Sequence, residues 1–182
     1  MRKLLLSLAL SGTFLSAMAA ENATYYGVNA GLSNVDAQDK VGWGMSSNIG
    51  YQFNKYMGLE VNYAYFSEQN LYGTVAPKNP QVSGSSSFFM GAVKGMLPIN
   101  DMFGLYAKIG AGASYASLSG GAATFSNGSS TAWTPATMIG GGAEWKLSDN
   151  FGIVLEDMVY VASSSNGLGN SNLLSLGVNF RF

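Results

Sequence analysis

The sequence predicts an all-β fold: eight antiparallel strands, closed up-and-down into a barrel that spans a membrane. Three observations carry this. Charged residues make up only 10% of the chain, against about 25% in an ordinary globular protein, yet no segment is long enough for a membrane helix, which needs about 20 apolar residues. Apolar residues recur with a period of two, the mark of a strand with one apolar face. A short polar turn followed by an aromatic or Met, a Gly and an aliphatic returns three times, as NKYMGLE at 54–60, NDMFGLY at 100–106 and DNFGIVLE at 149–156.

The first element is excluded from the fold. Residues 1–19 have a charged start at Arg2 and Lys3, an apolar stretch from Leu4 to Leu15, and the small-x-small site Ala17-Met18-Ala19. This pattern reads as a secretory signal peptide cut after Ala19, leaving 20–182 as one barrel domain. The opening strand is expected at 25–33, YYGVNAGLS. The segments 46–53, 88–97 and 136–147 each lead into one of the repeated turns, and 57–66, 103–114 and 151–156 leave them. In 57–66, Met57, Leu59, Val61, Tyr63 and Tyr65 alternate with Gly58, Glu60, Asn62 and Ala64. The closing strand, 172–182, runs Leu174, Leu176, Val178, Phe180, Phe182 along one face.

The three repeats are therefore tight hairpin turns. The remaining connections, 34–42, 67–85, 118–133 and 162–171, are longer and rich in Ser, Gly and Asn, with Pro77 and Pro80 in the second. Short turns at one end and long loops at the other are the asymmetry of a transmembrane barrel. A soluble eight-stranded barrel is the competing architecture. Against it stands the sparse charge on the polar face, since a face meant for water usually carries more Lys and Glu. Aromatics also fall in two bands, as interfacial girdles do. Phe53, Tyr56, Phe103, Trp145, Phe151, Phe180 and Phe182 lie by the short turns; Trp43, Tyr65, Phe88, Tyr115, Trp133 and Tyr160 lie toward the long loops.

The units NKYMGLE and SDNFGIVLE, with the C-terminal LGVNFRF, resemble the small OmpA/OmpX-like family of bacterial outer-membrane β-barrels over the whole mature chain. The resemblance implies a location in the outer membrane, with long loops extracellular, termini periplasmic, and lipid and lipopolysaccharide around the wall. It also implies that Phe182 belongs to the signal read by the barrel-assembly machinery. Larger members of that family carry a peptidoglycan-binding domain; this sequence stops at the eighth strand, so tethering to the cell wall is not implied.

Eight strands leave an interior just wide enough for side chains to fill it. Strict alternation points Glu60, Lys94, Lys108, Glu144, Glu156 and Arg181 inward, three acids and three bases. Buried charges are tolerated when paired and hydrogen-bonded, so these six are expected to form an interior network. The alternative is weak pairing at a wet barrel end. Asp157 breaks the pattern and is expected to face lipid unless a bulge or a place near the outer rim relieves it. The clusters Gly110/Gly112 and Gly140-Gly141-Gly142 lie inside strands with no following helix. They read as aids to strand coiling rather than phosphate loops.

The composition excludes several functions. There is no His and no Cys, which removes Ser-His and Cys-His catalysis, disulfides and most transition-metal sites. No cofactor or metal is expected. No basic run exists to grip nucleic acid. The reading that leads is a non-enzymatic outer-membrane barrel that supports envelope integrity or presents its loops to an unidentified surface ligand. Residues 118–135 and 161–172 hold no charge; Tyr72, Phe125 and Trp133 are the candidate contact aromatics of the long connections, with Trp133 equally a girdle candidate. A small low-conductance pore is the alternative. An enzyme is the weakest reading, because its only adjacent acids, Glu156 and Asp157, would point to opposite faces of a strand.

Overall fold

In the computed structural model, the described residues are 23–35, 41–70, 83–119, 130–163 and 169–182, without the side chains of 68–70. The signal segment 1–19, Tyr72, Phe125, Pro77 and Pro80 lie outside them. The strands are β1 (Ala23–Val35), β2 (Gly42–Asn54), β3 (Met57–Asn70), β4 (Ser83–Pro98), β5 (Phe103–Ser119), β6 (Thr131–Lys146), β7 (Phe151–Ala162) and β8 (Asn170–Arg181). They follow one another around a closed barrel. β8 returns to β1 in antiparallel register from Tyr25↔Arg181 to Val35↔Ser171. Closure leaves no sheet edge with unpaired backbone groups.

Most strands run further toward the long connections than the apolar alternation suggests. Residues 67–70, 83–85, 118–119, 131–133 and 170–171, expected in loops, are strand. β4 and β5, for example, stay paired out to Ser83↔Ser119. Ladder hydrogen bonds need backbone, not apolar side chains, so the Ser- and Gly-rich ends pair although their pattern is silent.

The three short turns share one construction. Asn54 accepts at Oδ1 from the N–H groups of Tyr56 and Met57, at 2.8 and 3.0 Å. Asn100 accepts likewise from Met102 and Phe103, at 2.9 and 2.7 Å. These are Asx turns, which is why Asn opens the first two repeats. In the third, Ser148 takes that position and its backbone N–H donates to the Phe151 carbonyl at 3.1 Å. The third residue of each turn also reaches the strand beyond its own hairpin. The carbonyls of Tyr56, Met102 and Asn150 accept from the N–H groups of Met96, Lys146 and Arg181, at 2.7, 2.7 and 2.9 Å. The repeats thus close each hairpin and stitch it to the next.

Alternation sorts the side chains as expected along most of the wall. Leu59, Val61, Ile109, Ile139, Leu155 and Leu176 face outward and exposed, while Glu60, Asn62, Lys108 and Glu156 are buried inside. Trp43 packs on Tyr65, and Trp133 on both Phe89 and Tyr115, with ring centres 5.9, 5.9 and 5.1 Å apart. Trp133 is therefore a girdle residue on the outer face of β6.

Phe88 and Tyr160 are not. Both are buried inside the barrel, where their ring centres lie 5.0 Å apart and Phe66 meets each of them edge-on. The expectation that they belong to the upper girdle is corrected by parity. Phe88 lies six residues from the inward Lys94, and Tyr160 four from the inward Glu156, so each shares the inward face. Position near a strand end decides nothing about facing.

Candidate functional site

The interior of the barrel is filled in two layers of different chemistry. Toward the long connections lies an apolar layer, with Phe66, Phe88, Met90, Met138, Met158, Tyr160 and Leu173 in one buried cluster. Toward the short turns lies a charged layer built from β3, β4, β5, β6, β7 and β8. Asn62 joins the two by accepting a hydrogen bond from the Tyr160 hydroxyl at 3.1 Å.

Lys108 is the centre of the charged layer. Its ammonium lies 3.0 Å from Glu60 Oε1 and 2.6 Å from Glu156 Oε2. β5 carries the lysine, and the two acids reach it from β3 and β7, two strands away on either side. Asn48 donates to Glu60 Oε1 at 3.1 Å, and the Tyr106 hydroxyl donates to Glu156 Oε2 at 2.9 Å. Glu60 Oε2, Glu156 Oε1 and the Tyr25 hydroxyl have no hydrogen-bond partner among the described residues. The cluster is thus tied by charge but incompletely satisfied by hydrogen bonds.

The six residues expected to act as one network fall into three arrangements. Glu60, Lys108 and Glu156 form the buried triad. Glu144 and Arg181 pair separately, at 2.6 Å, nearer the short turns, with the Arg181 side chain 15% exposed. Lys94 makes no ion pair with a carboxylate among the described residues. Its ammonium sits between two aromatic faces, 4.7 Å from the Tyr25 ring centre and 4.3 Å from that of Tyr106. Such contacts are worth more when desolvated, about 2 kcal/mol.

Tyr25 and Tyr106 are functional members that the charge pattern does not reveal. Each needs a glycine opposite. A Cβ at Gly50 would enter the Tyr25 ring, and one at Gly142 would lie 2.6 Å from the Tyr106 hydroxyl. The parity of β1 and β5 places both tyrosines inward, and that is the only sequence signal for them.

Glu156 and Asp157 point to opposite sides of the wall, the first buried and the second exposed. β7 pairs in unbroken register with β6 and β8 through this point, so no bulge turns Asp157 inward. Phe182 closes the lower rim, 78% exposed, with its N–H donating to the Thr24 carbonyl at 2.9 Å. Among the described residues no cluster of His, Cys, Asp and Glu could hold a metal ion.

Comparison with solved structures finds the same fold repeatedly. Neisserial surface protein A matches with a TM-score of 0.67 at 16% identity, covering 89% of this chain and 100% of that one. The attachment invasion locus protein Ail of Yersinia pestis matches at 0.59 and 20% identity, covering 90% of this chain and 100% of that one. The N-terminal β-barrel domain of Pseudomonas aeruginosa OprF matches at 0.52 and 15% identity, covering 89% and 98%. No curated protein matches the sequence. A closed barrel of eight antiparallel strands, with an apolar outer wall, agrees with a family model that the sequence matches over residues 5–182, and the chain belongs to that family, the outer membrane protein beta-barrel domain.

Proposed function

We propose that the protein is a closed, non-enzymatic barrel that stabilises the outer membrane and presents its long connections outside the cell, with its termini on the periplasmic side. The observation that carries this reading is the double filling of the interior. An aromatic and Met layer lies across the barrel above a salt-bridged layer, and such a barrel is a scaffold before it is a channel. The separation of Glu156 from Asp157 across the wall and the lack of His and Cys support a role without catalysis.

The loop chemistry narrows the partner. Ail of Yersinia pestis has been crystallised with the heparin analogue sucrose octasulfate. In this chain the long connections carry Lys40 and Lys78 against Asp36 and Asp39, with no net charge. A sulfated polyanion would find no net positive charge to hold it there. The loops suit an uncharged surface ligand, bound through Ser, Asn and aromatic side chains.

Purified protein in planar bilayers should stay at baseline conductance. Cells lacking it should change in surface attachment or become leakier, while uptake of small solutes is not reduced. Epitope tags near Lys78 and Gly128 should be labelled on intact cells, and one at Asn100 only after permeabilisation. Steady single-channel conductance from the unaltered protein would put the small-pore reading ahead, and reversed labelling would invert the topology.

Phe182 is proposed as part of the signal taken up by the barrel-assembly machinery. Deleting it should lower the amount of folded barrel in cells while leaving the unfolding midpoint of the purified product nearly unchanged. Normal folded levels in cells would refute the role.

A further inference from the structure

Asp157 is out of place on the outer wall. Along β7 it has Phe151, Ile153 and Leu155 on one side and Val159 and Val161 on the other, all on the same outward face. Across the sheet it lies opposite Gly141 on β6 and Leu174 on β8. Its same-face neighbours along β7 are thus apolar in both directions, and its direct cross-strand neighbours carry no polar side chain. The other exposed or half-exposed charges of the described wall and turns, Lys55, Asp101, Lys146, Asp149 and Arg181, all sit at the short-turn end. A carboxylate facing hydrocarbon is costly, and intramembrane ionisable groups normally find a partner.

The chain supplies one donor. Asn172 on β8, also outward, donates from Nδ2 to Asp157 Oδ1 at 2.7 Å. Among the described residues no ion pair reaches this carboxylate and no hydrogen bond reaches Oδ2. The strand register is unbroken here, so the group cannot be withdrawn by a local slip.

We propose that the β7–β8 wall is a self-association face, and that the partner of the Asp157–Asn172 pair is the same pair in a second copy of this chain. The argument is complementarity. A two-fold interface must match itself, residue i meeting j and j meeting i. This patch holds an acceptor with a free oxygen and an amide whose Nδ2 has a second N–H. Two copies inserted in the same direction can be related by a two-fold axis along the membrane normal. With that axis beside the pair, each Asn172 donates across the interface to the other copy's Asp157, and each carboxylate gains a second amide donor. Gly141 keeps the wall low beside Asp157, while Val159, Val161 and Leu174 offer an apolar surround.

The test uses the mature chain reconstituted in lipid bilayers at falling protein-to-lipid ratio. Association is read by energy transfer between two labelled populations. The chain has no cysteine, so single cysteines also report contact. Val159→Cys should give disulfide-linked dimers on mild oxidation, and Val61→Cys on β3, across the barrel, should not. Asp157→Leu and, independently, Asn172→Leu should each weaken association at least tenfold, and Asp157→Asn should largely retain it. Both leucine variants keep the interior intact, and circular dichroism checks that they fold. Energy transfer at the random-collision level for the unaltered protein at all ratios would overturn the proposal. So would equal cross-linking of the two cysteine variants, undiminished association of Asp157→Leu, or association only with a different membrane protein.

Discussion

Replacing Lys108 with alanine should cost about 3–5 kcal/mol of stability, because it leaves charged groups buried without their counter-ion. The lysine is the sole ion-pair partner of both Glu60 and Glu156 among the described residues, and all three side chains are almost wholly buried. Glu60→Ala should cost less than Lys108→Ala, since Lys108 would keep Glu156. The two single changes should not be additive, because both act on one cluster. Breaking a buried ion cluster and replacing it are different operations, however. Glu60 Oε2 and Glu156 Oε1 are already without hydrogen bonds, so the charges are incompletely compensated. The triple change Glu60→Gln, Lys108→Met, Glu156→Gln should therefore recover most of the loss, as neutral replacement of buried ion clusters often does. Reversible urea unfolding in lipid or detergent measures all of these. A Lys108→Ala variant within about 1 kcal/mol of the parent, the range of an exposed pair, would show that the cluster is solvated and not a plug.

Phe88→Ala should likewise cost about 3–5 kcal/mol, the usual loss for removing a buried aromatic, whereas its neighbour Phe89→Ala should cost less, about 1–3 kcal/mol from its two ring pairs. Phe88 is 1% exposed and packs on Phe66 and Tyr160. Phe89 is 48% exposed on the outer wall, against Tyr63 and Trp133. On the lipid side the alanine variant is re-covered by acyl chains, so the loss is mainly the ring pairs, about 0.5–1.5 kcal/mol each. Inside, nothing refills the space, and the cavity term adds to the lost contacts. Conductance separates the layers: Phe88→Ala alone should remain closed because the Lys108 triad lies below it, and Phe88→Ala with Lys108→Ala should conduct. Equal costs at Phe88 and Phe89 would mean that the apolar layer is loosely packed.

By itself the sequence determined the number and order of the strands, the short turns and the two faces of the wall, but not how far the strands run toward the long connections. Side chains alternate along a strand whatever its neighbours do. Leu59, Val61 and Glu60 therefore declare their faces locally, as do Ile109 and Lys108, and Asn54 and Asn100 mark their turns by hydrogen bonds to residues two and three positions on. The same parity already contained the inward facing of Phe88 and Tyr160, masked by their places near strand ends. What only the tertiary structure decided is which inward residues meet. Lys108 meets Glu60 and Glu156 from strands that are not its neighbours, and Lys94 meets two tyrosine rings instead of an acid. Those meetings depend on the tilt of the strands and on the stagger accumulated around the closed barrel. Alternation is a one-dimensional signal with no height in it. Nor could it divide the interior into an apolar and a charged layer, because height along the barrel axis exists only once eight registers have closed on one another. Asp157 belongs to both accounts: parity turned it outward, and the unbroken ladders on either side held it there, within reach of Asn172.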